Sequence, residues 1–97
     1  MSGLLTERAK NIFLNGVGEG MLESEDPFER KENKVYLKYD ALGIESAQDA
    51  IGGINLVFMW RGKVFMKVRK EGVGLKNDET LVIEGVEGRC ELFLEKG

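Results

Sequence analysis

Two strand-like runs, INLVFMW at 54–60 and KVFMKVR at 63–69, flank Arg61-Gly62 and constrain this chain more than any other feature of it. Side chains of a strand alternate between faces, and a two-residue gap ending in glycine is the length of a hairpin loop. With Trp60 opposite Lys63, the register places Phe58 opposite Phe65, Leu56 opposite Lys67 and Ile54 opposite Arg69. The other face then holds Asn55, Val57, Met59, Val64, Met66 and Val68, and as the almost wholly apolar side it is expected to meet the core. What remains outside is a mixed surface in which Phe58, Trp60 and Phe65 interleave with Lys63, Lys67 and Arg69, with Arg61 at the turn.

A second pair, TLVIEGV and RCELFLE, flanks Glu87-Gly88 and puts Leu81 and Ile83 on one face with Cys90, Leu92 and Leu94. Cys90 is thereby expected to pack as a small apolar residue, since its strand neighbours, Arg89 and Glu91, provide no net positive field to activate a thiolate. KVYLKYD at 34–40 alternates Val35, Leu37 and Tyr39 against polar residues and reads as a further strand. In the following ALGIESAQDAIGG, Ser46 is a candidate cap for a short connecting helix near 46–51, closed by Gly52-Gly53.

Upstream, Leu5, Ala9, Ile12 and Phe13 recur at helical spacing, with Glu7, Arg8, Lys10 and Asn11 on the opposite side. Thr6 is placed to cap this helix, over about 5–15, and Asn15-Gly16 to end it. The glycines at 16, 18 and 20 therefore follow a helix. A phosphate cradle needs glycines before one, so that helix N-terminal amides face the anion. The arm that follows, about 19–32, carries six acids against two bases, with Glu19, Glu23, Glu25 and Asp26 leading it. It reads as a solvated acidic segment, because no alternating oxygen-ligand pattern of a calcium loop is present.

The expected fold is α+β and mainly β: an N-terminal helix followed by about five antiparallel strands in a meander or small barrel, over about 34–96. One domain, 1–97, is expected for 97 residues that are 42% hydrophobic and 32% charged. A chain this short buries only roughly two-thirds of its unfolded surface, which makes self-association useful. No histidine is present, so hydrolase designs built on an imidazole base and zinc sites with imidazole ligands are closed to it. No constellation of carboxylates or lysines stands in for them, and the expectation is no enzyme, no cofactor, no metal and no small-molecule substrate. No run of roughly 18 apolar residues is present to cross a membrane, and one cysteine cannot close an internal disulfide, so a cytoplasmic setting is expected.

Charge supplies the functional expectation. Residues 61–70 hold five bases and no acid, while 19–32 has a net charge of −4 and 71–97 also −4. The leading reading is a protein-interaction or assembly module, self-associating, with Phe58, Trp60 and Phe65 as anchors and the acidic arm as the complement of the basic strand. The alternative is nucleic-acid binding by the same face, against which a net charge of −3 weighs. A third possibility keeps the aromatics beneath the helix or the arm, with the basic ends reaching outward.

Overall fold

The computed structural model describes residues 2–18, 20–72, 75–86 and 88–96. Its elements are β1 (Ser2–Leu5), α1 (Glu7–Asn15), β2 (Phe28–Lys31), β3 (Lys34–Lys38), β4 (Gly43–Gln48), β5 (Gly53–Trp60), β6 (Lys63–Glu71), β7 (Thr80–Glu84) and β8 (Arg89–Glu95), with single 3-10 turns at Glu23–Glu25 and Tyr39–Ala41. The strands form one sheet in the order β2-β3-β8-β7-β1-β6-β5-β4.

That sheet is strongly curled. Phe28 on β2 and Phe65 on β6 are separated by four intervening strands, yet their rings lie 5.6 Å apart. In a flat sheet, at about 4.8 Å per strand, they would be more than 20 Å apart. One core therefore gathers side chains from every part of the sheet except β4, including Leu5, Phe28, Leu37, Phe58, Met66, Ile83 and Leu94, with Ala9 and Ile12 of α1. The helix is capped as its sequence implies: the Ala9 amide donates to Thr6 Oγ1 at 3.3 Å, and the Gly16 amide donates to the Ile12 carbonyl with Gly16 at φ 81°.

Three expectations about elements are corrected. The count of about five antiparallel strands is too low, and it omits two parallel pairs, β1 with β7 and β3 with β8. The strand missed at the start, β1, lies at the centre of the sheet between β6 and β7. A Cβ on Gly3 would come within 3.1 Å of Leu81, Val68 and the Lys67 carbonyl, so the glycine allows this close passage. The arm at 19–32 is not solvated throughout: Pro27 and Phe28 are buried, and 28–31 pairs with β3 across a two-residue Glu32-Asn33 turn, with Glu32 at φ 53°. The helix expected near 46–51 is absent, and Gly43–Gln48 pairs with β5 instead. Glu19 and Glu87 lie outside the described residues.

The hairpin of β5 and β6 forms where expected, with Trp60 opposite Lys63 and Arg61-Gly62 both at positive φ in the turn. Its faces are inverted along β5, whereas Met66 and Val68 of β6 lie in the core as expected. Between Phe58 and Met59 the register shifts by one, so Met59 pairs with Val64 and Phe58 with Met66, leaving Phe65 as the bulged residue. Phe65 and Met66 consequently both turn inward, and the core face of β5 is Leu56, Phe58 and Trp60. Counting apolar positions favoured the Val57 and Met59 face. The larger area of Phe and Trp decides the matter, since each aromatic withdraws on the order of 150–250 Å² from water.

Candidate interaction surface

The proposed anchors are core residues: Phe58 is 0%, Phe65 2% and Trp60 8% exposed. Trp60 packs edge-on to Phe65, with centroids 5.9 Å apart, and two guanidiniums approach its indole, Arg8 at 4.7 Å and Arg61 at 4.9 Å. This matches the third sequence reading, in which the aromatics lie beneath the helix or the arm and basic ends reach outward. Cys90 is half-buried, and its thiol donates to the Val86 carbonyl at 3.1 Å.

The basic run is largely compensated within the chain. Arg61 pairs with Glu25 of the arm. Arg69 donates from Nε to Asp49 Oδ2 at 2.8 Å and from Nη1 to Glu71 at 2.9 Å, and Lys70 reaches Glu79 at 2.9 Å. Among the described residues the attraction expected between 61–70 and 19–32 thus runs through the pair of Arg61 with Glu25. Asp26 is engaged by the Phe28 amide at 2.9 Å and by Arg30 at 2.8 Å, and Glu23 is exposed. Lys63 and Lys67 are exposed and have no ion-pair partner among the described residues. Lys67 stands between Leu4, 64% exposed, and Val57 on the outer face of the sheet.

Asp49 builds the turn from β4 to β5. Its Oδ1 accepts from the Ile51 amide at 3.0 Å and the Gly53 amide at 2.8 Å, and its Oδ2 from Asn55 as well as Arg69. The hydrogen bond from Arg69, followed by that from the Gly53 amide, lowers its carboxyl to about 2. A Cβ on Gly53 would collide with the Arg69 guanidinium, so glycine leaves the room in which this pair forms.

The two ends of the sheet differ. β2 is four residues long, three of them charged, and Arg30 donates to the Ile12 and Phe13 carbonyls at 2.7 and 3.2 Å, tying that end to the last turn of α1. β4 has six residues, all exposed, and among the described residues no strand lies beyond it. Beside it Ile44 and Ser46 line an open cleft of about 410 Å³ with Tyr39, Ile54 and Leu75. Reading 46–51 as a helix concealed this edge, although Asp49 followed by Gly52-Gly53 is turn chemistry that equally serves a hairpin.

An aromatic and basic patch does occur on the outer face, on different strands from those expected. Tyr36 and Phe93 are paired across β3 and β8 with centroids 5.7 Å apart, with Lys31 over the first ring at 5.2 Å and Lys34 over the second at 5.1 Å. Among the described residues no three Cys, Asp or Glu side chains converge as a metal site would require. No helix among them is long and apolar enough to cross a membrane. No family model, curated protein or solved structure matches the chain.

Proposed function

We propose that the chain is a small non-enzymatic assembly module that associates with itself or with another protein subunit. The observation that carries this reading is the open end of the sheet at β4, where six consecutive residues are exposed and no strand among the described residues pairs with the outer edge. A strand edge of that kind is a template for another strand, and natural monomers blunt it with charge, proline or a bulge. The outer surface nearby adds support: Leu4 and Val57 flank Lys67, which has no ion-pair partner among the described residues, a mixture of apolar contact and charge that suits a protein partner. Burial of Phe58, Trp60 and Phe65 assigns them to shaping the curl beneath this surface rather than to direct contact.

Nucleic-acid binding is the second reading, and the Tyr36–Phe93 pair with Lys31 and Lys34 is the observation that favours it, since stacked rings beside cations suit unpaired bases. Against it, Lys31 is shared with Glu29 and Glu95 at 3.5 and 3.4 Å, and the overall charge is −3. Sedimentation equilibrium over a hundredfold range of concentration tests the proposal. The mean mass should rise above that of one chain. A strictly monomeric particle, retained on a single-stranded nucleic-acid column until Tyr36→Ala is introduced, would replace the first reading by the second.

A further inference from the structure

We infer that the partner of the β4 edge is a second copy of this chain, bound strand to strand and antiparallel, with Ser46 on the two-fold axis. This rests on the assembly reading and specifies its seam.

The first ground is the contrast between the edges. β2 carries Glu29, Arg30 and Lys31 and is anchored to α1. β4, GIESAQ, has one charge, Glu45, and neither lysine nor proline, and its register with β5 runs from Gly43↔Met59 to Gln48↔Ile54 without a shift. An unbulged, nearly uncharged edge of this length lacks the usual devices against pairing.

Geometry then limits the register. In a regular strand every second residue turns its N–H and C=O away from the neighbour already bound, and antiparallel pairing places such residues opposite one another. Two copies of β4 can therefore join only residues of the same alternate set, so that the axis passes through a residue. An axis at Glu45 sets two carboxylates directly opposed, which is destabilising. Axes at Ile44 or Ala47 use only three residues of the strand. An axis at Ser46 pairs five, from Ile44 opposite Gln48 to Gln48 opposite Ile44, with Glu45 facing Ala47 and no like charges directly across.

The same register accounts for the cleft. Ile44 and Ser46 share the face of Phe58 and Leu56, their partners on β5, and line the 410 Å³ cleft from the β4 side. The two-fold brings both clefts to the same side of one continuous sheet, where Gln48 of the second copy covers Ile44, which is 41% exposed in the single chain. A seam of five paired residues is small, so the dissociation constant is expected to be on the order of micromolar or weaker.

Ser46 is exposed, so charge can be placed there without disturbing the core. Ser46→Lys and Ser46→Glu each put like charges on the axis, whereas an equimolar mixture puts opposite charges there. By sedimentation equilibrium, each variant alone should associate several-fold more weakly than the native chain, and the mixture should recover association, with far-UV circular dichroism unchanged. If the native chain dimerises and both variants match it, or if the mixture gains nothing over the variants, the seam lies elsewhere and this inference is overturned while the assembly reading stands. If the native chain remains monomeric at millimolar concentration, this inference is overturned and only association with a different subunit is left of the assembly reading.

Discussion

Asp49 holds four hydrogen bonds with two oxygens, which makes it the residue whose ionisation matters most to the β4–β5 turn. Its folded-state carboxyl is held at about 2, below the ordinary 3.8, chiefly by the Arg69 hydrogen bond. A carboxyl depressed on folding stabilises the native state above its unfolded value and loses that contribution as pH falls through the folded one. The window is therefore about pH 4 down to about pH 2. Asp49→Asn should destabilise the chain near neutrality, measured by urea unfolding, and the gap between variant and native protein should narrow as pH is lowered through that window. A gap independent of pH would mean that the turn depends on the shape of Asp49 rather than on its charge. Trp60 illustrates the opposite kind of residue: it was legible as an aromatic on a hairpin, but only the bulge at Phe65 reveals which way it points.

Among elements, legibility followed locality. α1, the β5–β6 turn and the shared face of Leu81, Ile83, Leu92 and Leu94 rest on caps, turns and alternation within a few residues, and they stand where the sequence places them, although the β7–β8 register pairs Ile83 with Cys90 where a two-residue loop at Glu87-Gly88 would oppose it to Leu92. β1, β2 and β4 owe their existence to partners instead. Ser-Gly-Leu-Leu is a strand because β6 and β7 lie on either side of it, and Gly43–Gln48 is one because β5 offers six register positions. Short segments with one β-branched residue or none carry no intrinsic signal strong enough to reveal this. The candidate surface was missed for the same reason, its central strand having been read as a helix. Arg30 links one such element, β2, to the end of α1, and removing it should loosen both. Arg30→Ala should speed amide exchange at Gly16 and along β2 and cost about 1 kcal/mol in denaturant unfolding, since the guanidinium is partly exposed and its bonds compete with water. Unchanged exchange at Gly16 would show that α1 ends without its help.

At the scale of the whole molecule, the curl and the open edge are linked. The aromatic core draws β2 over onto β6, through Phe28 and Phe65, and α1 covers that end, while the sheet stops at β4 without a guard. The Coulombic pattern that first suggested an interface is mostly consumed inside the chain by Glu25, Asp49, Glu71 and Glu79, which moves the candidate surface from a charged hairpin to a backbone edge. The exposed pairs among these contribute only about 0 to 1 kcal/mol each, whereas a strand seam offers a row of directional hydrogen bonds. Residue-resolved amide exchange at two protein concentrations, one well below and one well above the association midpoint, addresses that edge directly. Alternate amides of Gly43–Gln48, those turned away from β5, should exchange quickly in the dilute sample and become protected in the concentrated one, with β2 unaffected. A particle that associates while every β4 amide exchanges at the same rate in both samples would contradict the account.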